Sequence, residues 1–225
     1  MKVNGLRWII LSLIMLVSII NYLDRGTLNY MWVANTKSEY PADRAVYDAA
    51  NGTYVLTAED GTTVVAPADR VAQQADGSYV YTAVGGIAAE LGILDPAMPE
   101  AEFKAQSKKL LADITIFFMI AYGLSQLFSG KLYDRIGTRR GFAFSALLWG
   151  AADAFTAFAA GFKSLTAFRF MLGLGEAGPW PGTTKSNAEW FPTKERALAQ
   201  GLFNASTSVG SILAPIVISF LYLAF

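Results

Sequence analysis

Apolar positions along this chain fall into long runs separated by shorter polar stretches. Five runs are close to or above the roughly 20 residues that a helix needs to cross a hydrocarbon core: 6–33, 111–131, 141–161, 164–189 and 197–222. The polar residues inside them recur at helical spacing. Tyr22, Arg25 and Asn29 share one face of the first run, with Asn21 one turn before Arg25. Tyr122 and Gln126 are one turn apart in the second; in the fourth, Arg169 and Glu176 are two turns apart and Trp180 follows Glu176 by one. Asn204, Ser208 and Ser211 line a face of the fifth. The pattern predicts an all-α membrane protein of about five transmembrane helices, four of them with one polar stripe. The first run is too long, and too charged in its middle, to be a cleaved leader, and reads as a span.

The segment 34–110 breaks the pattern. It is polar, rich in turn residues and internally repeated. Pro41-Ala42-Asp43-Arg44 recurs as Pro67-Ala68-Asp69-Arg70, and Asn51-Gly52-Thr53-Tyr54-Val55-Leu56-Thr57-Ala58 recurs as Asp76-Gly77-Ser78-Tyr79-Val80-Tyr81-Thr82-Ala83. The offset falls from 26 to 25 between the two motifs, so one residue is missing between them in the second copy. Asp60-Gly61 between two β-prone runs signals a further hairpin. The expected layout is a first span at 1–33, a small β-rich external insertion at 34–110 with a helical lead-in at Glu102–Ala112, and the remaining spans at 111–225.

Composition sharpens this. Hydrophobic residues make up 53% and charged residues 16% of the 225 positions, against roughly a quarter charged in soluble domains. With neither Cys nor His, thiol chemistry, disulfides and Cys/His metal sites are excluded. Nothing points to an enzyme, to nucleic-acid binding or to a bound cofactor. The net charge is zero, yet residues 37–113 hold 12 acids and 6 bases while the rest holds the reverse. Bases gather at Lys2 and Arg7, at Lys131, Arg135, Arg139 and Arg140, and at Lys194 and Arg196, whereas the loop between the third and fourth runs carries only Lys163. By the positive-inside rule the N-terminus is cytoplasmic, and five spans put Phe225 on the opposite side.

Charges at membrane depth are expensive and mark substrate or ion paths. Asp24 and Arg25 lie together in the first run and Glu176 lies deep in the fourth. Small polar residues such as Ser208 and Ser211 serve equally as helix–helix glue. Asp153, in the third run, reads either as a further protonatable site or as a residue at a wet edge.

The segment Gly130-Lys131-Leu132-Tyr133-Asp134-Arg135-Ile136-Gly137-Thr138-Arg139-Arg140 resembles the loop between the second and third spans of the major facilitator superfamily. Leu174-Gly175-Glu176-Ala177-Gly178-Pro179-Trp180-Pro181-Gly182, Ala188-Glu189-Trp190-Phe191-Pro192-Thr193-Lys194-Glu195-Arg196-Ala197 and Asn21–Arg25 resemble the anion:cation symporter family within it, and its hexuronate transporters in particular. The resemblance covers all but roughly residues 34–85 and resumes near Gly86-Ile87-Ala88-Ala89-Glu90-Leu91-Gly92.

It implies an N-terminal bundle of that fold and import of a hexuronate, such as glucuronate or galacturonate, with a proton by alternating access. An aldonate or another organic anion is the nearest alternative, and a membrane-anchored binding or sensor module the alternative of another class. Arg25 would meet the substrate carboxylate, with Tyr22, Tyr122, Gln126, Trp180 and Asn204 facing the sugar. Glu176 and Asp24 would couple protons, the only coupling ion and no cofactor being implied. Gly130, Asp134, Arg135, Gly137, Arg139 and Arg140 would act as a conformational latch. A bacterial inner-membrane location and a monomeric full-length protein follow from the same resemblance. A half of that fold has six spans, so five runs lead us to expect a fragment of the whole.

Overall fold

In lipid every backbone N–H and C=O must find a partner within the protein, so long apolar runs become helices. The computed structural model of the chain describes residues 5–96 and 98–224; Lys2 and Phe225 lie outside them. In chain order the elements are α1 (Leu6–Met31), β1 (Ala34–Tyr40), β2 (Ala45–Asp48), β3 (Thr53–Thr57), β4 (Thr63–Pro67), β5 (Val71–Gln73), β6 (Tyr79–Gly85), α2 (Ile87–Glu90), α3 (Glu100–Ile136), α4 (Thr138–Thr156), α5 (Phe162–Glu176), α6 (Pro179–Trp190) and α7 (Thr193–Ala224). They form two compact units, a helical one of Met1–Tyr30 with Asp113–Phe225 and a β-containing one of Met31–Ala112.

Among the described residues, three helices are long and apolar enough to cross a membrane, Leu6–Met31, Glu100–Ile136 and Thr193–Leu221, where five runs were expected. The differences have local causes. α4 opens on Arg139 and Arg140 and carries Asp153, which dilute its apolar character. The expected span 164–189 is divided into α5 and α6. Ala177 and Gly178 keep helical dihedrals across the gap (φ −69°, ψ −28° and φ −63°, ψ −42°). What is lost there is the hydrogen-bond ladder, because Pro179 and Pro181 have no N–H to donate; Gly182 resumes it by donating to the Gly178 carbonyl at 3.1 Å.

The helical unit is apolar outside, and its interior holds polar as well as apolar side chains. Leu13, Leu127, Phe128, Ile216 and Phe220 are exposed, whereas Ser18, Asn21, Arg169, Glu176, Thr183, Asn187 and Ser206 are buried. An apolar surface with polar groups enclosed suits a bilayer, where lipid does not drive apolar side chains inward. Small residues bring the helices together. A Cβ on Gly173 would lie 2.5 Å from the Phe118 carbonyl oxygen of α3, and one on Gly175 2.6 Å from the Trp149 backbone nitrogen of α4. On α7, a Cβ at Gly210 would lie 2.8 Å from the Tyr22 Cβ of α1.

The β-containing unit turns the sequence repeat into a reciprocal exchange. Each copy supplies a leading strand, a Pro-Ala-Asp-Arg turn and a hairpin: β1 then β2–β3 in the first, β4 then β5–β6 in the second. The two antiparallel sheets have the orders β1-β6-β5 and β2-β3-β4, so each leading strand pairs with the other copy's hairpin. Equivalent positions make equivalent pairs. Tyr40 opposes Tyr79 as Ala66 opposes Tyr54, and Ala45 opposes Leu56 as Val71 opposes Tyr81. Because pairing is equivalent on both sides of each hairpin turn, the missing residue belongs to the turn after β5.

The exchange places equivalent residues in one core. Tyr40, Leu56, Ala66 and Tyr81 are buried together, with Ala45, Tyr54, Val71 and Ala83 packed around them. At the turns Asp48, Asp60 and Asp76 accept the backbone N–H groups of Ala50, Thr62 and Ser78 at 2.9–3.0 Å. Hydrogen bonding holds all three carboxyls below the usual carboxylate range, led by the Asn51 amide at Asp48, the Thr62 N–H at Asp60 and the Ser78 hydroxyl at Asp76. Lowered carboxyls favour the fold at neutral pH, and that contribution is lost as pH falls through the lowered values.

The shared core makes a distinct prediction. Leu56 is fully buried, so Leu56→Ala should cost this unit about 2–5 kcal/mol. Hydrogen exchange on the detergent-solubilised chain should then show lost protection in β1 and β6 as well as in β2–β4. Loss confined to β2–β4 would mean that the two sheets are energetically separate.

Candidate functional site

The site begins with α1, whose buried positions Leu11, Ile14, Ser18, Asn21 and Leu28 form one stripe. Arg25 lies beside that stripe and reaches across to the last turn of α5, where its Nε donates to Glu176 Oε2 at 2.5 Å. The Glu176 side chain is fully buried and that of Arg25 is 21% exposed. Three aromatic rings enclose the guanidinium, with centroids 4.6 Å (Tyr122), 5.3 Å (Phe118) and 5.4 Å (Tyr22) from its central carbon. Rings at this range add cation–π attraction and keep water from the pair. Arg25 Nη2 and Glu176 Oε1 are buried without a hydrogen-bond partner, so each member retains one unused polar atom.

Further charges surround the pair. Asp24 Oδ2 accepts from the Trp149 indole Nε1 at 2.5 Å, which ties α1 to α4. Arg169 of α5 is buried with its Nε unpartnered, and it interacts electrostatically with Asp24, Asp153 and Glu176. Asp153 also faces Asp24. The structure therefore places Asp153 in the cluster, where three carboxyls share two guanidiniums. Two small cavities flank the pair. One of about 110 Å³ is lined by Arg25, Asn29, Phe118 and Arg169; a tighter one of about 10 Å³ touches Asn21, Glu176, Trp180 and Phe203.

Of the residues proposed to face a substrate, Tyr22 and Tyr122 contact Arg25 and Trp180 lies beside Glu176. Trp180 meets Phe203 edge-on at 5.1 Å. Two others lie on the surface of the helical unit. Gln126 is exposed and reaches only the Tyr122 hydroxyl, at 3.1 Å. Asn204 is exposed on α7, as are Ser208 and Ser211. Helical spacing puts these residues on one face, but the packing of α7 through Gly210 turns a different face toward α1. Trp149, which holds Asp24, carried no sequence signal beyond being a Trp in an apolar run.

The basic segment at the α3–α4 corner is organised by a residue that its motif does not contain. Arg135, Arg139 and Arg140 are exposed. Asp134 pairs instead with Lys185 of α6 at 2.8 Å, and the same ammonium donates to the Tyr133 carbonyl at 2.9 Å. Beside it, Thr138 donates to Glu189 at 2.8 Å. Gly137 turns the chain at φ +80°, a left-handed conformation that glycine adopts without strain. Tyr133, buried against Gly141 and Gly182, donates to or accepts from Ser145 at 3.2 Å.

A buried arginine–glutamate pair and an α3–α4 corner tied to α6 set the frame for comparison with known proteins. A family model described as the Major Facilitator Superfamily matches residues 75–225. The chain belongs to that superfamily. A galacturonate transporter of Dickeya chrysanthemi is 39% identical over 98 residues, covering 44% of this chain and 28% of that protein. The hexuronate transporter of Escherichia coli (strain K12) is 38% identical over 98 residues, 44% of this chain and 23% of its own length. A probable sulfoacetate transporter, SauU, of Cupriavidus necator is 33% identical over 101 residues, 45% and 24% respectively. The matched stretch is thus about a quarter of each relative's length. Superfamily membership and the apolar helices make this an integral membrane protein.

Burial predicts different stability costs for the two ion pairs. Asp134 is 74% exposed and Lys185 26%, so Lys185→Met should change stability by under about 1 kcal/mol. Arg25→Met leaves Glu176 buried without its partner and should cost about 3–5 kcal/mol, much of it recovered in Arg25→Met/Glu176→Met. Thermal unfolding of the purified chain in detergent reads both. Equal losses at the two sites would show that burial does not set the difference.

Proposed function

We propose that this chain forms part of a proton-coupled symporter for a sugar-acid anion of the hexuronate type, working by alternating access. The observation that carries the reading is the buried Arg25–Glu176 pair with one unused polar atom on each side. A guanidinium presents a planar fork suited to a carboxylate, and Nη2 is the part of that fork Glu176 leaves free. A substrate carboxylate arriving at Arg25 competes with Glu176 for it. Once displaced, Glu176 is a buried carboxylate without its counter-charge, a costly state that a proton discharges. Binding of anion and proton is then mutually favourable, as linkage requires.

The surplus of carboxyls over guanidiniums supports the same reading, with Asp24 and Asp153 as further proton carriers. Tyr22, Tyr122 and Trp180 supply hydroxyl and ring contacts for a sugar. Asp134, held by Lys185 beside the exposed arginines, serves as the latch on the cytoplasmic side of a bacterial inner membrane, where the positive-inside rule puts such bases. The relatives' names share an organic anion, and the sulfoacetate name favours a second reading in which the substrate is another organic anion, an aldonate included. A plain membrane anchor explains neither the buried pair nor Arg169, since an anchor needs no charge at depth.

Two substitutions in the whole protein, reconstituted in vesicles, test this. Arg25→Lys replaces the fork by a point charge and should lower sugar-acid uptake at least tenfold. Glu176→Gln keeps shape and hydrogen bonding but cannot release a proton, so pH-driven accumulation should vanish while counterflow exchange persists. PH-driven accumulation in the Gln variant equal to that of the unsubstituted protein would remove Glu176 from the mechanism.

A further inference from the structure

A second arginine, in the β-containing unit, is buried with its binding edge unused. Arg70 ends the second Pro-Ala-Asp-Arg turn and is 5% exposed. Its Nη1 donates to the Pro96 carbonyl at 2.5 Å, and its guanidinium carbon lies 5.0 Å from the centroid of the buried Phe103 ring. Its Nε and Nη2 have no hydrogen-bond partner. Those two donors share one edge of the guanidinium, the edge that takes a carboxylate through two parallel hydrogen bonds.

The surroundings are those of a site. Arg70 lines a cavity of about 220 Å³ together with Asn35, Thr82, Phe103, Lys104 and Ser107. This is below the ~300–1,000 Å³ typical of pockets for drug-sized ligands, so the occupant is small. At the rim Asp69 accepts the Glu100 backbone N–H at 2.6 Å and Lys104 pairs with Glu100. The Lys104 side chain is 65% exposed, free to move aside or to approach an anion. Arg44, the equivalent residue of the first copy, is half-exposed. The repeated turn therefore supplies an arginine twice, and the packing around α3 buries only the second. Buried donors left unpaired destabilise a fold, and a ligand that meets them recovers that loss.

We infer that Arg70 and its cavity form a binding site for a small hydroxylated carboxylate, separate from the Arg25–Glu176 site. Arg70 grips the carboxylate, Phe103 holds the guanidinium flat, and Asn35, Thr82 and Ser107 offer hydrogen bonds to hydroxyls. The site stands on residues of the β-containing unit alone and does not depend on the transport reading.

Calorimetric titration of glucuronate, glucose and sulfate into the full chain in detergent tests it, with Arg25→Gln as background so that the first site is silent. Glucuronate should bind in that background, at least tenfold more tightly than glucose or sulfate. Arg70→Gln should weaken it at least tenfold. Thr82→Val, which leaves Arg70 in place, should weaken glucuronate several-fold and keeps the test valid if Arg70→Gln does not fold. Absence of glucuronate binding in the Arg25→Gln background, binding indifferent to Arg70→Gln and Thr82→Val, or glucose or sulfate matching glucuronate would each overturn the inference. Unchanged uptake in the Arg25→Lys and Glu176→Gln tests with this binding intact would sink the transport reading alone.

Discussion

A fully buried carboxylate at membrane depth constrains the helical unit more than any other feature. Glu176 lies at the end of α5 with no exposed side-chain surface, and Arg25 of α1 is its partner at 2.5 Å. For that pairing α1 must approach α5, and α5 must lie close against α3 and α4. The glycines do this work: a side chain at Gly173 or Gly175 would strike the backbone of Phe118 or Trp149. Trp149 in turn holds Asp24, the neighbour of Arg25. A short loop of contacts thus runs from α1 through α5 and α4 back to α1, with the ion pair at its centre.

The same motif explains why the helix is interrupted just beyond Glu176. Pro179 and Pro181 remove donors from the ladder while the backbone keeps its helical path. Gly178 and Gly182 then let α6 lie against Ser145 and Tyr133. One stretch of sequence therefore positions the buried acid, opens the ladder behind it and seats α6 on the α3–α4 corner. Lys185, two turns into α6, is placed by this to hold Asp134.

The β-containing unit follows a different logic. A single copy of its repeat would present an open hairpin edge, a surface prone to pairing with other chains. Exchange of leading strands closes one edge of each hairpin with a strand from the other copy, and it brings Leu56 and Tyr81 into one core. The two Pro-Ala-Asp-Arg turns are alike in sequence and unlike in surroundings, so their arginines part company: Arg44 meets solvent and Arg70 is enclosed with Phe103.

The sequence by itself determined the helical period of the apolar runs, the places of the duplicated turns, and the residues whose charge had to be accommodated. Arg25, Glu176 and Asp24 were legible because a charge in an apolar run has few benign explanations, and the glycine and proline motif around Glu176 carried the family. Span boundaries were less legible, because hydropathy does not register a proline that removes a hydrogen bond. Only the tertiary structure decided which face of α7 is turned toward α1, and so left Asn204 exposed. It also decided that Asp134 meets Lys185 and that Asp153 joins the charged cluster. Those outcomes depend on the rotation and approach of helices far apart in the chain, set by where a missing Cβ lets two backbones touch. Strand exchange was hidden for a related reason: similar repeats offer the same pairing within a copy or between copies, and the choice is made by the core they build together.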